Sequence, residues 1–118
     1  MKKKPHFSNA LRAGDFIFVS GQLPFDDDMN IVEGDVARQT VVVIDHIEAA
    51  LVAMGAALSD VVKTTVWLVN PDDFSAFNAA YAQRFTEAPP ARATVGSTLM
   101  VEGALVEIEA VAHRPAPS

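Results

Sequence analysis

An α+β sandwich, with two helices packed on one face of a mixed sheet, is the fold class that the sequence predicts. Three observations carry it. Segments of period two and segments of period 3.6 follow one another in the order strands, helix, strand, helix, strands. No internal repeat or linker interrupts the 118 residues, so residues 1–118 read as a single domain. Half of the residues are apolar and a fifth are charged, a composition suited to a packed core.

Phe16-Ile17-Phe18-Val19-Ser20 is a short run of aromatic and β-branched residues between Gly14-Asp15 and Gly21. It reads as a strand ending at a glycine. Pro24 to Asn30, with three consecutive aspartates, reads as a loop. From Val36 the period changes: Val36, Thr40, Val43, Ile44, Ile47, Leu51 and Met54 recur at three- and four-residue steps. Asp35 is placed to cap the start of this helix and Gly55 to end it. The β-branched run Val41-Val42-Val43-Ile44 has poor helix propensity, so this helix needs tertiary support.

Val61 to Val69 alternates. Val62, Thr64, Val66 and Leu68 share one face, and Val61, Lys63, Thr65, Trp67 and Val69 the other. Asn70-Pro71-Asp72-Asp73 supplies a capping side chain, a proline for the first turn and acids for the positive end of the dipole. Phe74, Phe77, Tyr81 and Phe85 then predict the buried stripe of a second helix, which Pro89-Pro90 must stop. Arg92 to Thr98 and Leu105 to His113 read as strands. In the second, Val106, Ile108, Ala110 and Ala112 face one way, and Leu105, Glu107, Glu109, Val111 and His113 the other. Two helices cover one side of the sheet only. Trp67, Val69, Leu105 and Val111 therefore mark a second apolar face, for which symmetric self-association is the simplest cover.

Charge and composition exclude several classes of function. The net charge of −6 opposes a nucleic-acid partner. The one basic run, Lys2-Lys3-Lys4, is followed by Pro5-His6-Phe7 rather than by a long apolar stretch, so it does not read as a signal peptide. No stretch approaches the length of a membrane span. The absence of cysteine removes disulfides, thiolate metal sites and thiol nucleophiles together. No metal-ligand set, phosphate loop or serine–histidine–acid order is present. A cytoplasmic location is the default expectation.

Few residues remain that suit chemistry. Arg92, after Pro89-Pro90-Ala91, suits a bidentate carboxylate clamp, though a surface or salt-bridging arginine is the plainer reading of the residue alone. Glu107 and Glu109 lie two apart on the face assigned to the interface, where a dry carboxylate would have a raised pKa; solvated edge charges fit the same pattern. Asn78, within the stripe of the second helix, reads as a structural clip or a pocket residue. Ser20-Gly21 reads as a plain turn or as a close approach of backbone to ligand. His6, His46 and His113 have no ligand spacing.

The chain also resembles the Rid (YjgF-like) family. The matching stretches are Arg12 to Pro24, Asp60 to Val66, Asp73-Phe74 through Asn78 and Tyr81, Pro90-Ala91-Arg92, and Gly103 to Ala112. The resemblance implies a chorismate-mutase-like fold and a homotrimer whose sheets form a central barrel, with pockets in the clefts between subunits. It implies cofactor-free hydrolysis of enamines and imines, such as 2-aminoacrylate and its imine, to 2-keto acids and ammonia. Arg92 matches the residue that grips the substrate carboxylate, and Glu107 the one that orients or activates water. Ser20, Gly21 and Asn78 match pocket positions. Thr94 stands where many relatives carry cysteine or threonine.

Two departures stand out. Pro5-His6-Phe7-Ser8 replaces a run in which relatives carry tyrosine, so Phe7 keeps the ring and loses the hydroxyl. Leu99-Met100-Val101-Glu102 replaces a Leu-Pro pair. A keto-acid binding protein without turnover is the alternative reading. The ribonuclease or translation-inhibitor activity attributed to some relatives fits the acidic charge poorly.

Overall fold

The computed structural model describes residues 5–117. The Lys2–Lys4 run lies outside the described residues. Five strands and two helices follow in the order β1 (Ala10–Ala13), β2 (Phe16–Gln22), α1 (Val36–Ala53), β3 (Val61–Leu68), α2 (Phe74–Ala82), β4 (Ala91–Gly96) and β5 (Val106–His113). They build one mixed sheet in the spatial order β1-β2-β5-β3-β4. The β3–β4 pair is parallel and the rest are antiparallel. The principal-axis extents of 45 × 41 × 21 Å are those of a sheet carrying one layer of helix, the predicted sandwich.

Local chemistry places these elements. Asp35 accepts a hydrogen bond from the Arg38 N–H at the start of α1. Gly55 follows its end with φ +81°, a conformation that glycine adopts without strain. The β-branched run of α1 is held by packing, since Val43, Ile44 and Ile47 are fully buried; each such side chain is worth about 1.5–3 kcal/mol. Asn70 caps a single 3₁₀ turn over Pro71–Asp73 that leads into α2. The core lies between the helices and one sheet face. Ile17, Val19, Val66, Leu68, Val106 and Ile108 meet the α1 stripe there, with Phe77 and Tyr81 from α2.

Five expectations need correction. β1 was not foreseen as a separate strand. It pairs with β2 across a two-residue turn at Gly14-Asp15, with Gly14 at φ +61°. The strand from Phe16 does not end at Gly21 but runs to Gln22, through an irregularity between Val19 and Gln22. In β3 a register shift between Val61 and Lys63 turns Val61 inward and leaves Val62 exposed, reversing their predicted faces. β4 stops at Gly96 rather than Thr98, and Phe74 lies half exposed at the rim of the α2 stripe.

The second sheet face is open. Phe16, Phe18, Leu11 and Val69 are exposed on this chain, and Trp67 and Val111 are half-buried; Leu105, expected on this face, precedes β5 and packs against the core instead. Among the described residues no helix is long and apolar enough to cross a membrane.

Candidate functional site

Arg92 is the second residue of β4, an edge strand, and aligns with Thr64 of β3. Thr64 is fully buried beneath the helices, so Arg92 points to the helix side. There its guanidinium carbon stands 5.7 Å from the Phe74 ring centre, 5.4 Å from Phe77 and 4.8 Å from Tyr81. Its Nη1 donates to Asn78 Oδ1 at 2.8 Å. These four α2 residues fall on one helix face because their spacings are three and four residues.

Stacking on rings favours a cation without neutralising it, and Asn78 fixes its orientation without supplying charge. Among the described residues no carboxylate forms an ion pair with Arg92. The surface ion-pair reading of Arg92 therefore gives way, while Asn78 ties α2 to the Arg92 guanidinium. Arg92, Asn78, Tyr81, Phe85 and Pro90 line a cleft of about 410 Å³.

Behind the guanidinium, Thr64 Oγ1 and Tyr81 Oη share a buried hydrogen bond of 2.7 Å. Burial pushes the Tyr81 hydroxyl above its ordinary pKa, offset by the Thr64 hydrogen bond and the Arg92 charge. Tyr81 remains a neutral platform. Its part at the site was missed in the sequence, where Tyr81 reads only as helix stripe. The parallel β3–β4 register that sets Arg92 over it leaves no local signal.

Glu107 heads a second cluster. It aligns with Trp67 and so occupies the open face, opposite to Arg92. The irregular stretch of β2 brings Gly21 beneath it, where a Cβ would collide with Glu107 Oε2. The missing side chain at Gly21 lets the Glu107 carboxylate lie against the backbone in this position; a Cβ there would make the carboxylate swing aside. Desolvation first, and the Glu109 charge second, raise the Glu107 pKa above its ordinary value. Ser20 donates its hydroxyl to the Ser8 carbonyl at 2.6 Å, and its N–H to the Asn9 carbonyl at 3.0 Å. Those bonds dock the segment that carries Phe7, whose ring is exposed. Ser20, Glu109, Ser8 and Phe18 line a cleft of about 330 Å³ on this face.

The seven predicted residues therefore fall into two groups. Arg92 and Asn78 touch, and Thr94 lies two residues along β4 on the same face. Glu107 and Gly21 touch, with Ser20 beside them and Phe7 at the adjoining segment. The sheet and strand β3 separate the groups, so one chain does not bring Arg92 and Glu107 together.

Known proteins resemble this chain in sequence and in fold. A family model described as "Endoribonuclease L-PSP" matches residues 1–114. A RutC family protein of Pyrococcus abyssi is 43% identical over 109 residues, 92% of this chain and 86% of the relative. The crystal structure of RidA from an Antarctic Psychrobacter superposes with a TM-score of 0.87 at 34% identity, covering 95% of this chain and 91% of the other. The structure of E. coli TdcF with bound serine superposes with a TM-score of 0.86 at 30% identity, covering 95% and 91%. Sequence and fold agree along nearly the whole length, and the chain belongs to the Rid family.

Proposed function

We propose that this protein hydrolyses small or moderately sized 2-imino acids and their enamine tautomers to 2-keto acids and ammonia, at sites shared between the subunits of a homotrimer. The observation that carries the proposal is Arg92: a cation stacked on three rings, oriented by Asn78 and paired with no carboxylate among the described residues. Such a group suits a planar carboxylate taken up from solution. The serine bound to TdcF carries that same group.

In this reading Arg92 holds the substrate carboxylate and so fixes the adjacent imine carbon. An enamine first gains a proton on its terminal carbon and becomes the imine. Water then attacks C2 of the protonated imine while Glu107 accepts the proton that the water loses. The new C–O bond gives a carbinolamine. Glu107 returns its proton to the nitrogen and, as the C–N bond breaks and the C=O bond forms, accepts the hydroxyl proton, which then passes to the departing ammonia and leaves Glu107 ionised for the next cycle. A carboxyl held above its ordinary pKa suits both halves of this cycle. Asn78 orients Arg92, Thr94 lines the same face, and Ser20, Gly21 and Phe7 shape the side nearer Glu107.

Because Arg92 and Glu107 lie on opposite sheet faces, the reading requires Glu107 to come from a neighbouring copy. The open face of Phe16, Phe18, Trp67 and Val111 is the surface through which copies would associate. The net charge of −6 speaks against nucleic acid as the substrate, despite the description of the family model.

Phe7 favours one second reading, binding of keto acids without turnover, since its ring carries no hydroxyl for proton transfer. A single assay separates the two. Imines generated in situ by an amino-acid oxidase should release keto acid and ammonia faster with the protein than without it. Arg92→Ala should remove at least about 100-fold of that acceleration while the oligomer persists. Full activity in Arg92→Ala would refute the clamp, and tight keto-acid binding without acceleration would favour the binding role.

A further inference from the structure

Beside Arg92 lies a second cleft of about 300 Å³, lined by Leu68, Pro71, Phe74, Thr94, Val95 and Gly96. Every lining side chain except Thr94 is apolar. It adjoins the arginine in two ways. Phe74 forms both its wall and one of the rings under the guanidinium. Arg92, Thr94 and Gly96 alternate along β4 with Ala93 and Val95, so they share one face of the edge strand.

Gly96 determines how much room this cleft has. Its backbone does not require glycine, because its φ lies outside the left-handed region. A Cβ there would meet only Pro71 Cγ, at 3.8 Å, an ordinary contact. Any side chain at position 96 would thus be accommodated by the strand and would project into the cleft. What glycine provides at this position is an unfilled apolar space beside a carboxylate-binding cation.

We infer that this cleft is the side-chain subsite of the substrate, kept open by Gly96, and that it directs the protein to 2-imino acids bearing branched or aromatic side chains. The inference rests on the carboxylate-binding reading of Arg92. A methyl group would leave most of the cleft empty, whereas an isobutyl or benzyl group would cover Leu68, Pro71 and Phe74. Burial of each added methylene favours binding by about fourfold.

Calorimetric titration of the intact protein tests the subsite without requiring turnover. The probes are pyruvate, 4-methyl-2-oxopentanoate and phenylpyruvate, the keto acids matching small, branched and aromatic imines. Wild type should bind the two larger acids at least about tenfold more tightly than pyruvate. In Gly96→Leu that ratio should collapse to near one. Gly96→Ala, with a single methyl 3.8 Å from Pro71, should lower it partway and serves if the leucine variant does not fold. Equal binding of the three acids by wild type, or a ratio that both variants leave intact, overturns the subsite. The imine assay run alongside separates the two claims. A binding preference without acceleration keeps the subsite and refutes the deaminase, and acceleration without a size preference does the reverse.

Discussion

At the scale of single residues, the two charged groups assigned to the site have been placed by different means. Aromatic rings and an amide surround Arg92, so its charge is left without a counter-ion among the described residues. Glu107 is pressed into a drier position over Gly21 and near a second carboxylate. Its folded pKa therefore exceeds that of the unfolded chain. In the window between the two values the folded state holds a proton that the unfolded state has released, so stability falls as pH rises through that window. Below the ordinary carboxylate value of 4.5 both states are protonated and the difference vanishes. Glu107→Gln should accordingly melt higher than wild type at neutral pH, with the gap closing as pH falls toward that value, while losing imine turnover. A variant that melts no higher at neutral pH would contradict the desolvated carboxylate. Both residues were visible in the sequence as types suited to the chemistry. Their environments were not, because the Tyr81 platform and the Gly21 approach come from strand register.

At the scale of elements, period and capping chemistry carried most of the fold. The α1 stripe, its Asp35 cap and its Gly55 terminus all fall where periodicity put them, because one buried face and two end signals agree. The errors cluster where a backbone irregularity breaks the alternation, at Val61–Lys63 and at Val19–Gln22. Gln39 shows a different gap. It is polar, sits beside the apolar stripe of α1 and is almost fully buried. Its Nε2 donates to the Gly103 and Val32 carbonyls at 3.1 and 3.3 Å, and its Oε1 accepts from the Leu105 N–H at 2.7 Å. One side chain thereby ties α1 to the loop that leads into β5, the strand carrying Glu107. Gln39→Ala strands a buried donor and two acceptors, and should cost about 3 kcal/mol in urea unfolding. A loss below about 1 kcal/mol would show that water replaces these bonds.

At the scale of the whole molecule, one helical layer on a five-stranded sheet leaves an apolar face and divides the candidate site in two. The uncovered face was legible from the alternation of β3 and β5, since Trp67 and Val111 point away from the helices as their register predicts. That Arg92 and Glu107 occupy opposite faces was not legible. It depends on β4 pairing in parallel with β3, with Thr64 aligned to Arg92, and on Trp67 aligned to Glu107. A shared site follows if both residues act on one substrate. Co-expression of Arg92→Ala with Glu107→Gln tests this directly. Each variant alone should be inactive, and each should form the same oligomer as wild type. Randomly mixed oligomers should recover about a quarter of the wild-type deaminase rate, because one in four shared sites then joins an intact Arg92 to an intact Glu107 from its neighbour. Mixed oligomers as inactive as their parents would show that the two residues do not cooperate across subunits.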